Sequence, residues 1–239
     1  MSRINRNGTL RIVTLGIIIA IIILMAGFYI YTLDYYRALP EVHTIIANTP
    51  LYIETKGNLT IIHAAADNKT QEGVIFYPGG KVEANAYLPL LVDLAERGYT
   101  SVLVKMPFNL AVFNVNAAES VRTAVTDIDS WTVVGHSLGG AMASSHMEKK
   151  HTLYKGLVLL GAYEVNDAPI RTLAIYGTYD LMLDLQKVST SDQIVEIEGG
   201  NHAYFGHYGE QKGDGVALIS RESQQMRTVE LIIEFIESN

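Results

Sequence analysis

Five short runs in this chain are apolar from end to end, and they constrain its fold more than any other feature. They are Gly73–Tyr77 (GVIFY), Thr100–Lys105 (TSVLVK, apart from its ends), Trp131–Val134, Gly156–Leu160 (GLVLL) and Leu173–Tyr176 (LAIY). Gln193–Ile197 (QIVEI) adds a sixth, mixed run. Runs this short that lack polar alternation are strands buried on both faces, and such strands belong to parallel sheets covered by helices. Helical patterns fall between them. Asn85–Arg97 has Tyr87, Leu91, Leu94 and Ala95 on one face, Pro89 in its first turn and Gly98 just past its end. Ala117–Val125 follows Asn116 as a candidate N-cap, Leu138–Lys149 is a third helix, and Ser220–Glu237 closes the chain. In that last helix Met226, Val229, Ile232, Ile233 and Ile236 share a side. Two further strands, Leu51–Thr55 and Leu59–Ala64, flank the turn Lys56-Gly57-Asn58. The expectation is an α/β domain over residues 51–239, with a mostly parallel sheet and helices on both faces.

The N-terminus does not fit that pattern. In Ile12–Ile30 only Thr14 among 19 residues is clearly polar, a length that matches the ~30 Å hydrocarbon layer of a bilayer. Tyr29, Tyr31, Tyr35 and Tyr36 follow as an interfacial aromatic belt would. Residues 12–31 therefore read as a transmembrane anchor and 32–50 as a juxtamembrane stem. Arg3, Arg6 and Arg11 precede the apolar run and only Arg37 lies close behind it. The positive-inside rule then places residues 1–11 in the cytoplasm and the α/β domain outside it. The alternative is a signal peptide, with the domain secreted after cleavage. The run is longer than the ~7–15 residues of a signal core, and Met25-Ala26-Gly27-Phe28-Tyr29 is a weak cleavage site.

Composition excludes several functions. The chain has no cysteine, which removes disulfides, thiolate nucleophiles and Cys-based zinc or iron–sulfur sites. All 25 acidic residues lie after residue 33, against 15 basic ones there. An acidic domain without a basic stripe does not suit a nucleic-acid partner.

In a parallel sheet the reactive groups gather at the C-terminal strand ends. Gly135-His136-Ser137-Leu138-Gly139 stands at such an end, between the strand Trp131–Val134 and the helix from Leu138. A GxSxG sequence in that context forms a sharp turn that exposes the serine above the sheet, with glycines and Ala141 and Ala143 giving it room. Ser137 is the candidate nucleophile. His136 packs beside it, because adjacent side chains at this turn point apart. A serine hydroxyl needs a base to take its proton. On such a sheet the order is serine, acid, histidine. Asp180 leaves the strand Leu173–Tyr176 through Gly177-Thr178-Tyr179, nearer a strand end than Asp184 or Asp167. His202 leaves the next strand in Gly199-Gly200-Asn201-His202, and His207 lies farther from it. Two backbone N–H groups are the candidate oxyanion donors, Leu138 after the nucleophile and Gly80 in Pro78-Gly79-Gly80-Lys81. A metal site of His202, His207, Glu210 and Asp214 is disfavoured, since this glycine-rich run cannot hold helical ligand spacing.

YPGGKVEANAY (77–87), VVGHSLGG (133–140), IYGTYD (175–180) and GGNHAYFGHYGEQKGDG (199–215) together resemble the α/β-hydrolase superfamily, over about residues 50–239. They are similar to its small lidless members related to dienelactone hydrolases. The resemblance implies a sheet of the eight-stranded type and a triad of Ser137, Asp180 and His202, with no cofactor and no metal. Where the family often has His-Gly, this chain has Pro78-Gly79. The activity implied is a serine hydrolase of carboxylic esters or similar acyl compounds, with a small-molecule or lipid-like acyl substrate. The alternative is a catalytically inactive, membrane-anchored binding module, because the family also contains inactive members. The short link between Leu160 and Thr172 leaves little material for a lid and points to a modest acyl group.

Overall fold

The computed structural model describes residues 6–188 and 191–238; Arg3, with the rest of residues 1–5, lies outside them. The chain divides at Tyr35/Tyr36 into two units.

The first unit is one helix, α1, Arg6–Leu33. In its segment Leu10–Leu33 Arg11 is the one charged residue, and the apolar side chains are exposed. At 1.5 Å per residue those 24 residues span roughly 36 Å, enough to cross a bilayer. Large apolar side chains point outward all around it, as with Ile12, Ile23 and Leu24. A helix that is apolar on every side has no face for water.

The second unit is built on an eight-stranded sheet in the order β1-β2-β4-β3-β5-β6-β7-β8. Its strands are β1 Ile53–Lys56, β2 Leu59–Ile62, β3 Glu72–Tyr77, β4 Thr100–Val104, β5 Ser130–His136, β6 Gly156–Leu160, β7 Thr172–Gly177 and β8 Gln193–Ile197. β1 and β2 form an antiparallel hairpin through Gly57, and β2 pairs antiparallel with β4. From β4 onward every pair is parallel. Successive residues of a strand face opposite sides, so each central strand feeds two cores. Val74 and Phe76 of β3 join Leu103, Val134, Val158 and Ile175 in one core. Ile75 and Tyr77 join Val102, Val133, Leu157 and Ala174 in the other. The first core is covered by α2 Glu41–Asn48, α3 Leu88–Glu96 and α7 Arg221–Glu237. The second is covered by α4 Ala117–Ala124 and α5 Leu138–Lys150, with the short α6 Leu185–Val188 adding Val188. Residues 161–171 join β6 to β7 without a helix or strand, and among the described residues no substantial lid covers the strand ends.

Three local expectations change. Residues 36–50, expected as a stem, are part of the folded unit. Tyr36 bridges to Val82, with the Tyr36 N–H donating to the Lys81 carbonyl (2.8 Å) and the Glu83 N–H to the Tyr36 carbonyl (2.8 Å). The Leu39 N–H donates to the His207 carbonyl (2.8 Å), and Val42 of α2 is buried against α3. Asn116 precedes α4 but does not cap it; its side-chain oxygen pairs instead with His146 Nδ1 (2.9 Å). In α7 Met226 is half exposed, and the inner face is Gln224, Gln225, Thr228, Val229, Leu231, Ile232, Phe235 and Ile236. That stripe keeps helical spacing but begins with polar residues, which the apolar pattern alone passes over. Ser220 caps this helix by accepting the Ser223 N–H (3.1 Å).

Candidate active site

Ser137 follows β5 directly and holds φ 52°, ψ −123°. This region is nearly closed to residues with a Cβ, and holding one there costs about 1–3 kcal/mol. The surroundings fix it. The Ser137 N–H donates to the Leu160 carbonyl (2.9 Å), and the Ser137 carbonyl accepts from Ala141 (3.1 Å). The turn can close only because its flanks lack side chains. A Cβ on Gly135 would meet the Gly140 Cα at 2.6 Å, and one on Gly139 the Tyr77 carbonyl at 2.3 Å. α5 starts at Leu138, so its first N–H groups have no partner within the helix and face the serine end.

Asp180 follows β7 and His202 follows β8, two and three strands along the sheet from β5. The His202 Nδ1 lies 2.8 Å from Asp180 Oδ2, and both side chains are buried. The other carboxylate oxygen, Oδ1, accepts the N–H groups of Met182 (2.9 Å) and Leu183 (3.0 Å). A carboxylate with both oxygens occupied is fixed in orientation, and the imidazole inherits that orientation. The alternative acids lie elsewhere. Asp184 is exposed and pairs with Lys187, and Asp167 borders a separate surface cavity with Glu164 and Asp192.

The loop carrying His202 is held from beneath. Gln224 of α7 accepts the Asn201 N–H (3.0 Å) and donates to the Asn201 carbonyl (2.7 Å). The Asn201 side chain accepts from Tyr204 (3.0 Å) and donates to the Gly215 carbonyl (2.8 Å). Asp214 accepts the Ala203 N–H (2.8 Å). The Gly209–Gly215 tail thus braces the histidine loop. His207 is buried but turned to α7, its Nε2 bonded to Gln225 Oε1 (3.1 Å). Burial lowers its proton affinity, and neighbouring Arg221 adds to the effect.

In the loop after β3 the Gly79 N–H donates to the Tyr87 hydroxyl (3.1 Å) and the Lys81 N–H to the Asn109 carbonyl (2.8 Å). Gly80 lies between these two spent donors, against Leu138: a Cβ on Gly80 would come 2.7 Å from Leu138 Cδ2. The two expected oxyanion donors are therefore neighbours. His136 is buried, and both of its ring nitrogens are engaged, Nδ1 with Tyr87 (2.7 Å) and Nε2 with the His202 carbonyl (3.1 Å). It has no nitrogen left to serve as a base.

The sequence model of the alpha/beta hydrolase family matches residues 73–226. The chain belongs to that family. No protein with a curated description matches its sequence. Among solved structures it is similar to TT1662 from Thermus thermophilus, with TM-score 0.58 and 11% identity over 80% of this chain and 100% of that one. Potato (Solanum tuberosum) epoxide hydrolase I gives 0.56 and 12%, over 79% of this chain and 100% of that one. A membrane phospholipase A described as a bacterial virulence factor gives 0.54 and 11%, over 96% and 100%. At such identities these likenesses concern the fold.

In this α/β-hydrolase Ser137 and His202 border one cavity of about 270 Å³, completed by Leu138, Ala141, Gly161, Ala162, Tyr163, Met182 and Leu183. Its wall is about evenly polar and apolar and carries no lysine or arginine. Among the described residues no three His, Asp or Glu side chains converge as metal ligands. His202 Nδ1 is engaged by Asp180, His207 Nε2 by Gln225, and Asp214 Oδ2 by the Ala203 N–H. Sequence reasoning passes over Gly161, at φ +53°. A Cβ there would lie 2.8 Å from His202 Nδ1 and 2.9 Å from Asp180 Oδ2. The available signal was a glycine directly after an apolar strand. Tyr87, read as a core-facing residue, and Asp214 are passed over in the same way.

Proposed function

We propose that this hydrolase cleaves carboxylic esters or similar acyl compounds through an acyl-enzyme on Ser137, tethered to a membrane by α1 with its catalytic domain outside the cytoplasm. The observation that carries the reading is the buried Asp180–His202 pair on the same cavity as a serine in a strained strand-to-helix turn. The Ser137 oxygen attacks the acyl carbon while its proton passes to the His202 Nε2. Asp180 holds the opposite nitrogen, keeps the proton on Nδ1 and stabilises the imidazolium. The Leu138 and Gly80 N–H groups stabilise the tetrahedral oxyanion. Collapse expels the alcohol, which takes the proton from His202. Water, deprotonated by His202, then releases the acid and restores Ser137.

The cavity sits at the small end of ligand sites, which run from about 300 Å³ upward, and has no cation in its wall. A short, uncharged acyl group suits it. The alcohol portion has no enclosing lid to restrict it, so a small-molecule or lipid-like ester is equally accommodated. The three arginines before the apolar segment support a cytoplasmic N-terminus. The test is turnover of p-nitrophenyl acetate by the wild type and Ser137→Ala. A working triad loses about 10³-fold or more of its kcat. Unchanged turnover, or a wild type with none, sinks the proposal and favours a binding module.

A further inference from the structure

His136 and Tyr87 are two of the most deeply buried polar side chains in the domain, and the mechanism above uses neither. The fixed donors and acceptors around them set the direction of their hydrogen bonds. The His202 carbonyl can only accept, so His136 Nε2 carries a proton and donates to it (3.1 Å). The Gly79 N–H can only donate, so the Tyr87 oxygen accepts from it (3.1 Å). That leaves the Tyr87 O–H to donate to His136 Nδ1 (2.7 Å). A protonated His136 would take away the acceptor of the Tyr87 O–H. His136 is therefore neutral, and burial, with the His202 charge second, pushes its proton affinity the same way. Burial also keeps the Tyr87 phenol protonated. The surroundings are aromatic: the His136 ring lies 4.5 Å from His202, 5.6 Å from Phe205 and 6.4 Å from Tyr208.

This chain of bonds links three parts of the site that are far apart in sequence. It begins at the oxyanion loop, passes through the residue before the nucleophile, and ends on the backbone of the base. We propose that Tyr87 and His136 are positioning residues of the hydrolytic reaction, fixing the Gly79–Gly80 loop to the Ser137 turn and to His202. The inference rests on the serine-hydrolase reading. It accounts for the division of work in that loop: the Tyr87 hydroxyl accepts the Gly79 N–H, and Gly80 is the donor left for the oxyanion. A neutral His136 also places no like charge beside His202 when that ring takes the serine proton.

The test compares wild type, Tyr87→Phe, His136→Gln and the double variant, with kcat and KM on p-nitrophenyl acetate and urea unfolding for each. Tyr99→Phe is the control, since it removes the hydroxyl of another buried tyrosine, bonded to Glu237 at 2.8 Å on α7. Tyr87→Phe should lower kcat about 10- to 100-fold with KM within about threefold, as expected for a sub-ångström misplacement of reacting groups. Tyr99→Phe should lose comparable stability and keep its kcat. The double variant should be no worse than the poorer single, because both changes break one linkage. A Tyr87→Phe enzyme within twofold of wild-type kcat overturns the inference, as does an equal kcat loss in Tyr99→Phe. If Tyr87→Phe does not fold, His136→Gln is judged by the same thresholds. A wild type that neither turns over esters nor reacts with a fluorophosphonate overturns the hydrolase reading and this inference with it.

Discussion

Replacing Gly161 by alanine adds one methyl group, and the structure places it against the Asp180–His202 bond. The new Cβ would lie 2.8 Å from His202 Nδ1, 2.9 Å from Asp180 Oδ2 and 3.0 Å from His202 Cε1. Ordinary contacts of this kind are about 3.5 Å or more, so one group must retreat by roughly 0.6 Å. Retreat of either partner stretches a 2.8 Å hydrogen bond toward ~3.4 Å, past the useful range. Both partners are buried and have little room to realign. Misplacement on the 1 Å scale costs about 10²-fold, and loss of the correct imidazole tautomer about 10⁴-fold. Gly161→Ala should therefore lower kcat by about 10²- to 10⁴-fold. Its backbone, at φ +53°, adds about 1–2 kcal/mol of destabilisation. Gly57→Ala separates the two effects, because Gly57 has φ +61° and nothing within 4 Å of a new Cβ. It should show the backbone cost and full activity. The assay is ester turnover and urea unfolding on both variants. If Gly161→Ala keeps kcat within threefold of wild type, the catalytic importance of the Asp180–His202 geometry is refuted.

Two further outcomes follow from the same structure. His202→Ala should lose about 10³-fold or more in kcat, whereas His207→Ala should keep most turnover while losing about 1–3 kcal/mol of stability with its Gln225 bond; equal kcat losses would mean that the wrong histidine has been assigned as base. His136, His146 and His207 all have proton affinities lowered by burial in the folded state, so below an unfolded pKa of about 6.5 the unfolded chain binds more protons. Stability is then full above about pH 6.5 and falls as pH drops, by up to about 1.4 kcal/mol per pH unit for the fully buried His136. Urea unfolding at pH 5.5 and 7.5 reads this; His136→Gln should flatten the dependence, and higher stability at pH 5.5 contradicts it.

The parallel strands were legible because burial on both faces writes itself as unbroken apolar runs. The nucleophile turn was legible because a serine between a strand and a helix needs its glycines at fixed offsets. Asp180 and His202 were reached by their position at strand ends, and the structure pairs them at 2.8 Å. Contacts between distant segments were not legible. Residues 32–50 read as a stem because the partners that hold the segment from Tyr36 onward, Lys81, Glu83 and His207 among them, are distant in sequence. Gln224 and Gln225 lie outside the apolar stripe of the last helix, yet they are buried beneath the loop they brace. Gly161 and Tyr87 matter because of what the fold brings beside them, and local sequence carries no record of that.

The central claim is that Ser137 is an activated nucleophile. Labelling the wild type with a fluorophosphonate and locating the adduct by peptide mass spectrometry tests it directly. The account predicts one adduct, on Ser137, absent from Ser137→Ala and slowed in His202→Ala. An adduct on a different serine, or a folded wild type left unlabelled, contradicts it.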